Sequence, residues 1–212
     1  MKKIILLIIC ILCLCGCSNL NKENIDSVVA DTSVTNMTNQ YRTGYKYYLP
    51  VNMKSIYSNK LNEVITDSNN KYYLYVDLVS YFEKQDISFT ENSNYYYSKP
   101  LNIDNNKGFL EISVKNDKYL IEIMYNYAKI EVMVDEDNIN EAVANSLVIL
   151  TSIRYNDDII KNMIGEDILN YSEEKFTIFD STVEDSNFLE YVQEYDNYNE
   201  EENEVPDYDL IN

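Results

Sequence analysis

The sequence predicts an α+β domain, a largely antiparallel sheet with helices packed against it, and three observations carry that expectation. Between residues 41 and 134 apolar and polar side chains alternate with period 2 in run after run. The runs within residues 108–134 are too close together to admit crossover helices, so neighbouring strands there pair antiparallel. Near residue 139 the period switches to 3.6, which places the main helix after the strands rather than among them.

In chain order, the first element is a leader. Lys2 and Lys3 precede an unbroken, uncharged apolar run over residues 4–14, the charge and hydropathy layout of an export signal. The run is short of the roughly 20 residues that a membrane-spanning helix needs. All four cysteines, Cys10, Cys13, Cys15 and Cys17, fall within or just after it. A metal or redox cluster would need thiolates on a folded, partly polar scaffold. In an apolar leader, cysteine serves instead as a small hydrophobe.

The stretch Leu14, Cys15, Gly16, Cys17 resembles the bacterial lipobox. The resemblance implies that Cys17 receives a diacylglyceryl group, that cleavage after Gly16 removes residues 1–16 as a signal peptide, and that Cys17 becomes the new N-terminus. Two or more acyl chains of palmitate type hold a protein firmly on a bilayer, where one holds it only marginally. The expected location is therefore the extracytoplasmic face of a cell membrane. The alternative is an uncut, non-lipidated membrane helix.

Residues 17–40 carry the lipidation site and then a polar stretch poor in aromatics, without sustained periodicity. They read as a flexible tether with an r.m.s. span of about 25 Å. The globular domain is expected over residues 41–170. Its first runs surround Asp67, Ser68, Asn69 and Asn70, a turn signal between two strands. In the second of these, Tyr72, Leu74, Val76 and Leu78 share an apolar face. Residues 84–106 read as a polar connection holding Tyr95, Tyr96 and Tyr97, either a stacking or contact platform or an edge strand whose alternate rings, Tyr95 and Tyr97, turn inward.

The clearest alternation follows. Leu110, Ile112 and Val114 are expected to face the core against Glu111, Ser113 and Lys115; after a turn at residues 116–118, Tyr119, Ile121 and Ile123, and then Ile130, Val132 and Val134, continue the inner face. Asn138, with Glu141 three residues on, reads as a capping box. Ile139, Val143, Leu147 and Leu150 form one helical ridge and Ala142, Ser146, Ile149 and Ile153 the next. A short strand or turn and one more helix, over residues 158–165, should close the domain.

Hairpin strands followed by a helix that runs into "NSLVILTSIRYND" resemble the PsbP/Mog1 type of α/β/α sandwich over residues 41–158. The resemblance implies a binding or assembly role and transfers no catalytic residue.

Composition narrows the chemistry. The chain has no His and no Trp, and after cleavage no free thiol. Histidine-dependent nucleophilic catalysis, zinc sites built on Cys and His, and disulfides are thereby removed. The formal charge of -19 is concentrated at the C-terminus, where residues 171–212 hold fourteen acidic residues against Lys175. With no basic stripe elsewhere, nucleic acid is not an expected partner. The abundance of Asn, Ile, Lys and Tyr fits an AT-rich bacterial genome.

Asp135, Asp137 and Asn140 touch the start of a calcium-loop spacing but lack its central Gly and a correctly placed Glu, so helix capping explains them better. No metal site, cofactor or catalytic residue is expected. In the acidic tail, Phe188, Leu189, Val192 and Tyr195 recur at helical spacing, as in segments that dock into a partner's groove. Self-docking and a disordered solubilising tail are the other readings. The expected function is a membrane-anchored, non-enzymatic binding or assembly module. The alternatives are a small cell-envelope hydrolase using carboxylates and a solute-binding lipoprotein.

Overall fold

The structure, a computed structural model, describes residues 17–59 and 61–165. The leader and the acidic tail, with Phe188, Leu189, Val192 and Tyr195, lie outside the described residues. An N-terminal helix α1 (Cys17–Asp31) is followed by strands β1 (Gln40–Arg42), β2 (Tyr45–Tyr47), β3 (Lys54–Ser58), β4 (Asn62–Thr66) and β5 (Lys71–Val76). A short helix α2 (Leu78–Glu83) precedes β6 (Tyr97–Ile103), β7 (Asn106–Lys115), β8 (Lys118–Tyr125) and β9 (Ala128–Val134). A 3-10 turn (Glu136–Asn138) leads into α3 (Ile139–Ser152), then β10 (Arg154–Tyr155) and α4 (Asp157–Gly165). The fold class is α+β, as the alternation and the single large change of period require.

Seven strands form one sheet in the order β3-β4-β5-β9-β8-β7-β6, and three form a second in the order β1-β2-β10. Every pairing is antiparallel. Local sequence sets the hairpins: Asp104 and Asn105, Asn116 and Asp117, and Asn126 and Tyr127 all take positive φ in two-residue turns between strands, the left-handed pairs whose twist suits a hairpin. Gly108 is required by contact rather than by dihedral angle. A Cβ there would lie 2.0 Å from the Met124 carbonyl oxygen on β8.

On the inner face of the large sheet, Tyr97, Ile112, Ile121, Val132, Tyr72 and Ile65 lie in one cross-strand row, and all are buried. Both ridges expected on α3 are buried as well, and the helix packs on β8 and β9. Fully burying one such aliphatic side chain is worth about 1.5–3 kcal/mol, so this row and the two ridges constitute the core. The Asn145 amide of α3 reaches the Tyr72 hydroxyl, which fixes the helix over the inner face. The small sheet covers the same face beside it, where Gly44 (φ +92°) packs against Leu78 and Ile160.

Several details differ from the sequence reading. The segment read as a tether is partly ordered. Residues 17–31 are helical, with Ile25 fully buried and Asp26 bonded to the domain. One apolar residue and one acid facing the right partners are too few to register as periodicity. Strand β6 lies inside the stretch read as a polar connection, because Lys99, Pro100 and Asn102 mask its alternation. It is an edge strand, and Tyr97 turns inward from it while Tyr95 stays half-buried just upstream. Val114 is 57% exposed, because β7 has by then run past the ground covered by the helices. Asn138 makes no side-chain capping bond; the 3-10 turn leads the backbone into α3 in its place.

Candidate functional site

The second face of the large sheet carries the chemistry. On it, Ser98, Glu111, Glu122, Glu131 and Tyr73 stand in direct cross-strand register over five strands. Lys129, two residues before Glu131, shares this face opposite Met124 and Tyr75. The exposures are 5% for Glu111, 9% for Glu122, 6% for Glu131 and 2% for Lys129, so three carboxyl groups and one ammonium are withdrawn from water together. A charge buried alone is prohibitively costly, and these are not alone. Lys129 Nζ lies 2.9 Å from Glu122 Oε1 and 2.5 Å from Glu131 Oε1, and Ser98 Oγ donates to Glu111 Oε1 at 2.9 Å.

The segment 84–96 crosses this face. Phe89 stacks on Phe109 with ring centroids 4.9 Å apart, and the Asn92 backbone N–H donates to Ser98 Oγ at 2.8 Å. Burial, followed by the charges of Glu122 and Glu111, pushes the Tyr95 phenol up from its ordinary pKa.

Electrostatics follow from the charge count. Burial raises the pKa of Glu111, and the nearby Glu122 raises it further, against the Ser98 hydrogen bond. Glu131 is also held above the ordinary glutamate value, by burial first, with attraction to Lys129 only partly offsetting it. Burial lowers the pKa of Lys129, but the charges of Glu122 and Glu131 outweigh it and raise the pKa of the ammonium. Burial thus biases Glu111 and Glu131 toward their protonated forms, a property that acid–base chemistry can use.

A second buried carboxylate lies on the inner face. Glu63 of β4 sits opposite Leu74 and joins the two sheets: it accepts from the Arg42 guanidinium and the Tyr47 hydroxyl of the small sheet, and from Ser55 Oγ at 3.0 Å on β3. The Tyr45 hydroxyl, buried near this group, has no hydrogen-bond partner among the described residues. At one end of the small sheet, Tyr81 stacks on Tyr155 at 3.7 Å and Lys84 lies 3.8 Å from the Tyr81 ring centroid. Burial and the hydrogen bond to Asp157 push the Tyr81 phenol up to about 12.

Of the residues singled out from sequence, Cys17 is the first residue of α1. Asp135 lies 3.7 Å from Lys118, Asp137 falls in the 3-10 turn, and the Asn140 side-chain oxygen is buried without a partner among the described residues. Among the described residues no group of three or more His, Cys, Asp or Glu is arranged to hold a metal ion, and no helix is long and apolar enough to cross a membrane. Sequence reasoning missed the glutamate row, although its signal is plain. The triplets Leu110-Glu111-Ile112, Ile121-Glu122-Ile123 and Ile130-Glu131-Val132 repeat one aliphatic-Glu-aliphatic pattern on three consecutive strands. Compared with known proteins, the chain matches no family model, no curated protein and no solved structure.

Proposed function

We propose that this chain is a lipoprotein held by fatty-acyl groups on Cys17 at the extracytoplasmic face of a membrane, and that its α+β domain is a non-enzymatic binding or assembly module. The observation that carries the reading is the sequence at residues 14–17, placed directly after a cationic start and an apolar run of signal length. The acidic tail, through Phe188, Leu189, Val192 and Tyr195, is the proposed contact for a protein partner with a basic rim.

The test is Cys17→Ser in the full chain. The unaltered protein is expected in the membrane fraction, with residues 1–16 removed and a diacylglyceryl mass on Cys17. The variant is expected to lose both the lipid and the membrane association. Unmodified Cys17 with residues 1–16 retained in the native protein would defeat the proposal.

A carboxylate hydrolase is the second reading, favoured by the raised pKa values of Glu111 and Glu131. It predicts glycan cleavage that Glu131→Gln abolishes without unfolding the domain.

A further inference from the structure

From the way α1 is docked, we infer that the domain stands in one fixed orientation on its membrane, with the β7–β8 turn toward the lipid surface and α1 serving as a strut; the inference rests on the lipid anchor proposed above. The docking is specific. Asp26 lies 2.7 and 2.8 Å from Lys99 Nζ and accepts from the Tyr97 hydroxyl at 2.7 Å, and the neighbouring Ile25 is fully buried. One turn nearer the N-terminus, Lys22 Nζ lies 4.9 Å from the Tyr96 ring centroid.

These contacts give the helix a direction. From Asp26 back to Lys22 they move from Lys99 and Tyr97 to Tyr96, and Tyr96 in turn meets Tyr119, at the start of β8, with ring centroids 5.1 Å apart. The helix packs on α3, and these contacts direct its N-terminal half toward the end of the sheet that carries the β7–β8 turn. Cys17 is nine residues before Asp26, a helical rise of about 14 Å. A lipidated sulfur at that distance from a docked residue leaves little room for a flexible tether. The end of the sheet it approaches carries the exposed Val114 and Lys115, with Lys118 paired to Asp135 and Asp117 in the turn itself, so contact with a headgroup layer there rests on Val114 and Lys115 rather than on a basic patch.

The test uses the full chain, purified with its lipid and reconstituted into vesicles of phosphatidylcholine and phosphatidylglycerol, some carrying a nitroxide on the headgroup. All four native cysteines lie at or before position 17, so in the processed, acylated protein Lys115→Cys and Asn102→Cys each supply a single thiol for a fluorophore. The two positions lie about 27 Å apart along β7, counted from Lys107 opposite Asn102 to Lys115. Headgroup quenching is expected to be severalfold stronger at position 115 than at 102, and Asp26→Ala should erase most of that difference. Equal quenching in a protein that floats with the vesicles and carries the Cys17 lipid overturns the fixed orientation while leaving the anchor standing. A protein that does not float, with Cys17 unmodified, overturns the anchor and the orientation with it.

Discussion

Glu63 occupies a position at which the inner sheet face otherwise places aliphatic side chains, opposite Leu74 and in the same row as Ile130, Ile123 and Leu110. Its carboxylate is tolerable there because Arg42, Tyr47 and Ser55 all donate to it. The bond to Glu63 raises the pKa of Arg42 despite the desolvation that opposes it. Removing one partner of a buried pair typically costs about 3–5 kcal/mol. Because Arg42 keeps some contact with water, at 20% side-chain exposure, Glu63→Ala is expected near the lower figure, read as a fall in the urea midpoint. A shift within error would show that the two sheets do not depend on this link. Lys129 presents the converse case. Lys129→Met leaves three buried carboxyl groups without their cation, so at neutral pH a loss of about 3–5 kcal/mol is expected. That loss should shrink as acid protonates the glutamates; a deficit equally large at pH 4 and pH 8 would contradict the charge account.

At the scale of elements, the β7–β8 pair depends on how closely two backbones approach. Gly108 faces Tyr125 in register, and since its missing Cβ would overlap the Met124 carbonyl, Gly108→Ala must push the strands apart or shift their register. The expected cost is about 3 kcal/mol or more, with faster amide exchange confined at first to β7 and β8. Strands β5, β8 and β9 and helix α3 were legible in the sequence because burial on one face imposes a strict period. Tyr72 and Leu74, Ile121 and Ile123, and the two ridges of α3 are buried where that period puts them. Elements whose stability comes from particular partners were not legible. Strand β6 is specified by pairing with β7, and α1 by Ile25 and the Asp26 contacts, none of which leaves a periodic trace. The glutamate row was hidden for another reason. Alternation assigns Glu111, Glu122 and Glu131 to the polar side of each strand, and polar is ordinarily read as solvated. Only the register between strands, together with the segment 84–96 above them, turns three surface-like residues into a buried cluster.

Considered as a whole molecule, the chain has two sets of titrating contacts whose pH dependence has opposite sign. Asp26 is held below the ordinary aspartate value by its hydrogen bonds to Lys99 and Tyr97. A lowered folded value means that its contribution is fully present above the unfolded pKa, about 3.9, and is lost as the pH falls through the folded value. Glu111 and Glu131 are held above the ordinary glutamate value. Their contribution is complete below about 4.3 and declines as the pH rises through their folded values. Acid should therefore loosen the docking of α1 while the contributions of Glu111 and Glu131 themselves are retained. Hydrogen exchange on the full chain, corrected for intrinsic rates, is the direct measure. As the pH is lowered below about 4, protection in residues 22–31 should fall while that of β7, β8 and β9 is retained. Because Lys99 and Asp26 are both about half exposed, salt should reproduce part of the same release at neutral pH. Simultaneous loss of protection in the helix and the sheet would mean that α1 is an inseparable part of the core, which acid does not release on its own.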